Sequence, residues 1–406
     1  MYSIYILLLI GATTLSFFKT IVAILFMWIN YIFFSVGFSS IGKKRKKLKV
    51  PEINTTLTNP KTLTLSVIAI TSLLFSSSVV NFYTGQTPIT VLSNLLNDES
   101  VYYVYQNYFK ENQLNSFSLS KLPFIIMMFS IKFILYYSFV YLLIIKRNVT
   151  IKEKIYLFTI IIAHIYVGIG RGTSFEFFEL LILTLFVIYS NFKSISLRNI
   201  KITIIGFMLV CVGMYIFSSG ISNRGVEFNF LTVHPDVNYD PSGWLSTTFP
   251  LLAEMLFKLY GYFGFGFFYT STYIVDVWFV SIENVIAGII PFGYQLFTGS
   301  NNYEIVAGII DVGVRWTPDF VVMVNNLGYV MCLFIFFLLG LISKYFYILE
   351  EKKPLTELTN FMILLQMISF PVGMFLMTSS ANKLIVIILL LYWFWRIFIN
   401  RRIKIT

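Results

Sequence analysis

The segment Gly170-Arg171-Gly172-Thr173-Ser174-Phe175-Glu176 separates two apolar runs, residues 155–169 and 177–190. Two apolar runs joined by a short polar segment predict a helical hairpin, in which each helix crosses a membrane and the polar segment lies at its surface. The segment therefore indicates an all-α membrane protein whose chain turns back beside an arginine and a glutamate.

Charge at such a turn is costly unless it is solvated, paired or used. Gly170 and Gly172 allow a tight turn and a close approach of the backbone to a ligand. The helix that follows directs the partial positive charge of its N-terminus at the same place as Arg171. We therefore predict an anion site here, with phosphate as the first candidate. The alternatives are that Arg171 only extends to the interface and that Glu176 only caps the helix, since Thr173 and Glu176 have the spacing of a capping box.

The composition of the whole chain also predicts a membrane protein. Of 406 residues, 57% are hydrophobic and 12% are charged, and the mean hydropathy is +0.78. A soluble globular protein does not need so large an apolar fraction, so residues 1–406 are predicted to form a single integral membrane domain. Cys211 and Cys332 lie in apolar runs, and we expect neither a metal site nor a cofactor.

Clusters of lysine and arginine predict the topology. The segments 43–49, 191–201 and 401–404 are rich in basic residues, which places them in the cytoplasm, together with both termini. The net charge of +11 is thus topological and does not indicate a nucleic-acid partner. The pattern predicts about ten spans, with up to two more in a large outer loop, and they cover residues 2–17, 20–41, 63–82, 122–145, 155–169, 177–190, 202–217, 320–343, 359–377 and 384–399.

The first outer loop comprises residues 83–121. Residues 91–110 mix apolar and tyrosine side chains with polar ones, which predicts an amphipathic helix lying on the membrane. Its tyrosines are Tyr102, Tyr103, Tyr105 and Tyr108. They either belong to an interfacial belt or stack on sugar rings.

The second outer loop, residues 220–318, is far longer than an ordinary connection. It contains two rather apolar stretches, residues 251–260 and 263–292. These stretches are predicted to form interfacial or re-entrant helices, or a further hairpin.

Arginines are scarce on the predicted outer face, where Arg171 is joined by Arg224 and Arg315. Each of them adjoins a turn or the end of a span, so we expect all three at a similar depth. The planar guanidinium matches phosphate oxygens, and this set is suited to a diphosphate. The alternative is local ion pairing, of Arg224 with Glu227 and of Arg315 with neighbouring aspartates.

A general base is the other requirement of transfer to a hydroxyl group. His234, in a segment His234-Pro235-Asp236, is one candidate, and Glu176 is its rival. The segment around His234 is equally compatible with an exposed turn. Within the spans, Lys132 either lines a wet cavity or extends toward one end, and His164 is expected to be a packing residue.

The Gly170-Arg171-Gly172 turn between two spans, the very large outer loop and the segment Arg315-Trp316-Thr317-Pro318 before a span with Gly328 and Gly340 resemble the bacterial O-antigen polymerases of the Wzy type. The resemblance covers the topology over most of the chain, while its motifs are short. The implied architecture is similar to that of the C-type glycosyltransferases and the O-antigen ligases.

The resemblance implies a metal-independent glycosyltransferase of the bacterial inner membrane with its active site facing the periplasm. It implies undecaprenyl-diphosphate-linked oligosaccharides as donor and acceptor, membrane lipid as surroundings and a polysaccharide chain-length regulator as a partner. Arg171, Arg224 and Arg315 would bind the diphosphate, and Glu176 or His234 would be the catalytic base. The alternatives are an O-antigen ligase, with the same donor and lipid A core as acceptor, and a lipid-linked oligosaccharide flippase.

Overall fold

A computed structural model shows the fold of the chain and describes residues 17–40, 62–96, 101–112, 119–146, 148–191, 208, 240–277, 318–349, 353–371 and 379–402. These residues are almost entirely helical and include no β-strand. The fold class expected from the sequence, an all-α membrane protein, is confirmed at this level.

The helices follow the apolar runs of the sequence. In chain order they are α1 (Phe17–Ser40), α2 (Thr62–Thr84), α3 (Pro88–Leu96), α4 (Val101–Glu111), α5 (Leu122–Phe139), α6 (Ile151–Arg171), α7 (Phe175–Asn191), α8 (Trp244–Thr248), α9 (Pro250–Asp276), α10 (Asp319–Leu349), α11 (Pro354–Ser369) and α12 (Ser380–Arg402). A short 3-10 helix precedes α5, and a π-helical segment, Val140–Lys146, continues it.

Five helical segments of the described ranges are long and apolar enough to cross a membrane: Ile21–Ser40, Thr64–Thr84, Leu119–Lys146, Ile151–Arg171 and Leu327–Tyr345. Many side chains on these helices are apolar and exposed, as Leu74 and Phe158 are, each more than 60% accessible. Such surfaces are suited to lipid rather than water. In the second outer loop, the stretch 251–260 and the start of 263–292 form one continuous helix, α9, of 27 residues.

The chain forms two compact units. The first comprises residues 1–51, 227–351 and 363–379. In it the backbones of α1 and α10 pack very close together. A Cβ atom added to Gly37 would lie only 2.0 Å from the Phe337 carbonyl oxygen. Gly340 has the reciprocal relation to the Phe34 carbonyl oxygen, also at 2.0 Å. Small residues permit this approach of two apolar helices, which gain van der Waals contact from it.

The second unit comprises residues 52–226, 352–362 and 380–406 and contains the segment with Arg171. Helices α2, α5 and α6 pack side by side, with α7 and α12 against them. Their shared core is made of Val79, Met128, Ile131, Val167 and Ala381. The short helix α4 packs against both α2 and α6, so the first outer loop returns onto the end of the predicted hairpin.

Candidate functional site

The turn after α6 has the geometry of a Schellman motif. Gly172 is in the left-handed region with φ +63°, its N–H donates to the Ile169 carbonyl oxygen at 3.0 Å, and the Thr173 N–H donates to the Gly168 carbonyl oxygen at 2.9 Å. This conformation favours glycine because a side chain there is strained. The glycines of the sequence thus turn the chain between α6 and α7, as predicted.

The same glycines also bring other parts of the unit close to the turn. A Cβ atom on Gly170 would lie 2.5 Å from Val80 Cγ1 on α2, and one on Gly172 would lie 2.6 Å from the Tyr102 nitrogen on α4. The backbone that closely approaches the turn is therefore that of α4. The turn is thus held against α2 and α4.

Arg171, the last residue of α6, is oriented by the chain itself. Its Nε donates to the Val167 carbonyl oxygen at 3.3 Å, and its Nη2 donates to the Glu176 carboxylate. The side chain keeps 19% of its surface accessible. A guanidinium has five N–H donors, and the remaining ones have no partner among the described residues. Arg171 is thus a fixed cation with donors left for a further acceptor.

Glu176 is completely buried. Besides Arg171, its carboxylate accepts a hydrogen bond from the Thr173 hydroxyl at 3.1 Å, on Oε2. Helix α7 begins at Phe175, one residue later than a capping box with Thr173 at the N-cap requires. The Thr173 hydroxyl therefore donates to the Glu176 carboxylate instead of capping the helix. In this state Glu176 is the counter-ion of Arg171, and both of its oxygens are occupied.

Tyrosines of the first outer loop lie beside this ion pair. Tyr105 on α4 is close enough to both Arg171 and Glu176 to interact with them electrostatically. Burial raises the pKa of the Tyr105 hydroxyl above its usual value, and the Arg171 guanidinium opposes that rise. The phenol is therefore a neutral hydrogen-bonding group beside the charged turn. Tyr102 contacts Gly172 through its backbone.

A second set of charged residues lies deeper in the same unit. Lys132 on α5 donates to Oε1 of Glu179 on α7 at 2.7 Å, and both side chains are at most 2% exposed. The Lys132 ammonium also lies 4.4 Å from the centre of the Phe175 ring, a cation–π contact. The charge of Lys132 is thus held inside the unit, against residues of the first turns of α7. No cavity around it is needed, since an internal carboxylate neutralises it.

Two further side chains contact the Glu179 carboxylate. The Asn382 amide on α12 donates to Oε1 at 2.9 Å, and Nε2 of His164 on α6 lies 3.5 Å from Oε2. His164 and Asn382 are both fully buried. Four helices thus meet at one carboxylate.

The sequence predicted half of this arrangement. It placed Arg171 and Glu176 together and singled out Lys132 and His164, but it did not identify Glu179. The available signal was Lys132 itself, because a lysine inside a span requires a counter-ion. Glu179 was the one acidic residue inside the neighbouring predicted span 177–190, about one turn beyond Glu176.

Three predicted site residues, Arg224, His234 and Arg315, lie outside the described residues. In the described part, the arrangement combines a partly accessible guanidinium, a buried counter-ion and a buried polar cluster. The guanidinium donors that have no described partner lie at the end of the helical hairpin.

Compared with protein-family models, with curated protein sequences and with solved structures, the chain gives no match.

Proposed function

We propose that the protein is an O-antigen polymerase, which transfers a growing polysaccharide from undecaprenyl diphosphate to the terminal sugar of a new lipid-linked repeat unit. The observation that carries the proposal is Arg171, a guanidinium fixed at the turn between two membrane helices with donors still unused. A diphosphate leaving group requires cations where its negative charge develops, and such fixed donors stabilise that charge without reorganisation.

In the proposed site Arg171 binds the diphosphate, together with Arg224 and Arg315. Glu176 has two possible roles, as the base or as the residue that orients Arg171. The second role is favoured, because its oxygens accept from Arg171 and Thr173, and a base must have an oxygen accessible to the acceptor hydroxyl. The general base is then His234.

An apolar groove in the same unit supports a lipid-linked substrate. It lies between the outer halves of α2 and α5 and is lined by Phe75, Leu119, Leu122, Pro123, Ile126, Met127 and Ser130. A prenyl chain is apolar, and burying it in such a groove is favourable. The proposed arrangement puts the chain in the groove and the diphosphate at the turn, with ten to twelve spans and the site facing the periplasm of the inner membrane.

The test is a lipopolysaccharide gel from the source bacterium after deletion of the gene. Loss of the ladder with retention of core plus one repeat unit is expected, because ligation of single units needs no polymerase. Complementation with wild type restores the ladder, and R171A at normal protein level does not. The double variant R401A/R402A, which removes positive charge at the predicted cytoplasmic end, is the matched control and restores it.

Loss of every O-antigen band, including the single unit, would contradict polymerisation and indicate a ligase or a flippase. The flippase is the second candidate because of one observation, the buried Lys132–Glu179 pair with His164 beside it. Ionisable residues inside a membrane unit are common on transport pathways. Accumulation of lipid-linked sugar on the cytoplasmic face in the deletion strain would identify the flippase, and accumulation on the periplasmic face the ligase.

A further inference from the structure

His164 is a buried imidazole whose polar atoms are not satisfied. Neither ring nitrogen makes a hydrogen bond of good geometry within the described residues, although the Glu176 backbone interacts with the ring, and the side chain is 0% exposed. A buried polar group without a partner is destabilising, and such groups in a folded protein call for an explanation. If His164 only filled space, an apolar side chain of similar size would be more favourable, because it would bury no unsatisfied polar atoms.

Glu179 has a complementary deficiency. Its Oε1 accepts from both Lys132 and Asn382, whereas its Oε2 has no hydrogen bond of good geometry within the described ranges, although the buried Tyr136 hydroxyl lies beside the same carboxylate. The unsatisfied Oε2 is the atom that lies 3.5 Å from His164 Nε2. Two unsatisfied atoms, an imidazole nitrogen and a carboxylate oxygen, thus face each other across a gap slightly longer than a hydrogen bond.

The surrounding charges are balanced without His164. Arg171 is paired with Glu176, and Lys132 is paired with Glu179. A neutral imidazole with its proton on Nε2 is able to donate to Glu179 Oε2, and a protonated one makes the same bond charge-assisted but adds a positive charge to a balanced set. Because neither the neutral nor the protonated imidazole is clearly favoured, the charges of the neighbouring residues decide which form His164 takes.

These neighbours come from every helix packed around it. The groups that interact with His164 or Glu179 are Lys132 and Tyr136 of α5, Arg171 of α6, Glu176 of α7 and Asn382 of α12. Tyr83 of α2 and Tyr105 of α4 interact in turn with Arg171, which lies two turns further along α6. Helix α2 contains no Asp, Glu, Lys, Arg or His. The pair is therefore controlled chiefly by two cations and one further carboxylate.

We propose that His164 and Glu179 form a proton-binding site inside the membrane unit, in which a proton on the imidazole is shared with Glu179 Oε2. Its ligand is the hydrogen ion. Seven residues, or about 10 Å of helix, separate His164 from Arg171, so the site lies beneath the turn and not in it. The inference does not depend on which function of the preceding subsection is correct.

The chain offers a clean test because it has only two histidines, His164 and His234. In an H234Q background, the imidazole NMR signals of ¹⁵N-histidine-labelled protein in lipid nanodiscs report on His164 alone. We expect His164 to change from neutral to charged as the pH is lowered.

Two variants are expected to move the midpoint in opposite directions. E179Q removes the negative partner and lowers the midpoint by about one pH unit or more, a tenfold loss of proton affinity. K132M removes a repelling positive charge and raises it. K258M, which removes a buried lysine of the other unit, is the matched control and leaves it unchanged.

An imidazole that stays neutral from pH 9 to pH 5 would overturn the proposal. So would a titration whose midpoint neither E179Q nor K132M moves. If size-exclusion chromatography shows that neither E179Q nor K132M folds, the titration of His164 in the H234Q protein decides the question alone.

Discussion

Lys132 and Glu179 form an ion pair of 2.7 Å inside the second unit, although 47 residues separate them in the sequence. The pair joins α5 to α7, and Asn382 joins α12 to the same carboxylate. A charge in the apolar interior is tolerated because its partner and its hydrogen bonds are supplied by different helices. The arrangement thus depends on the packing of all these helices together.

The Lys132–Glu179 pair is expected to show strong coupling in a double-mutant cycle. K132M alone or E179Q alone leaves a buried charge without its partner and is expected to cost about 3–5 kcal/mol, whereas K132M/E179Q recovers most of that loss. Thermal unfolding of the purified protein in detergent measures the effect. The Lys258–Glu254 pair is the control, because Glu254 is 34% exposed, and K258M should destabilise less. Additive losses in the double variant would show that the pair is not coupled.

Exchanging Arg171 and Glu176 is expected to restore stability but not activity. In R171E/E176R the ion pair is kept with its charges exchanged, so the unfolding temperature recovers relative to R171E alone. The lipopolysaccharide ladder does not return, because the guanidinium is then buried at the position of Glu176 and cannot reach a diphosphate. A ladder restored by the exchange would contradict anion binding by Arg171 at its own position.

Gly172 is expected to tolerate substitution less well than Gly85. Both residues have positive φ, +63° and +68°, so G172A and G85A share a conformational cost of about 1–2 kcal/mol. At Gly85 the new methyl group meets the Tyr108 ring, which is able to move, whereas at Gly172 it meets the Tyr102 backbone at 2.6 Å. G172A should therefore lower the unfolding temperature more than G85A. Equal effects would mean that the contact of α4 with the turn contributes little.

Gly340 is expected to be essential to the first unit. G340A places a methyl group against the Phe34 carbonyl oxygen, which forces α1 and α10 apart and removes contacts along both helices. The control is G328A, because Gly328 has φ +80° but no atom within 4 Å of an added Cβ. Unfolding curves of both variants separate crowding from backbone strain. A G340A protein as stable as wild type would indicate that the two helices separate without loss.

The long helices of the second unit were largely predictable, since each is an apolar run bounded by polar or basic residues, whereas the one amphipathic helix predicted over residues 91–110 is two short helices, α3 and α4. Residues 155–169 and 177–190 correspond to α6 and α7, and the turn at Gly172 was recognisable because few other residues adopt its conformation. The sequence pattern alone did not predict where the helix after Pro250 ends. It is hydrophobic throughout, so its period does not show where one helix ends and another begins.

The sequence by itself determined that this is an all-α membrane protein with a charged turn at Arg171, because apolar length, glycine and charge act locally along the chain. Only the tertiary structure decided the partners. It paired Arg171 with Glu176 and Lys132 with Glu179. It also placed His164 beside a carboxylate oxygen of Glu179 without a hydrogen bond between them. The reason is physical: a buried charge must be neutralised, but which residue neutralises it depends on how the helices pack, and no local pattern contains that information.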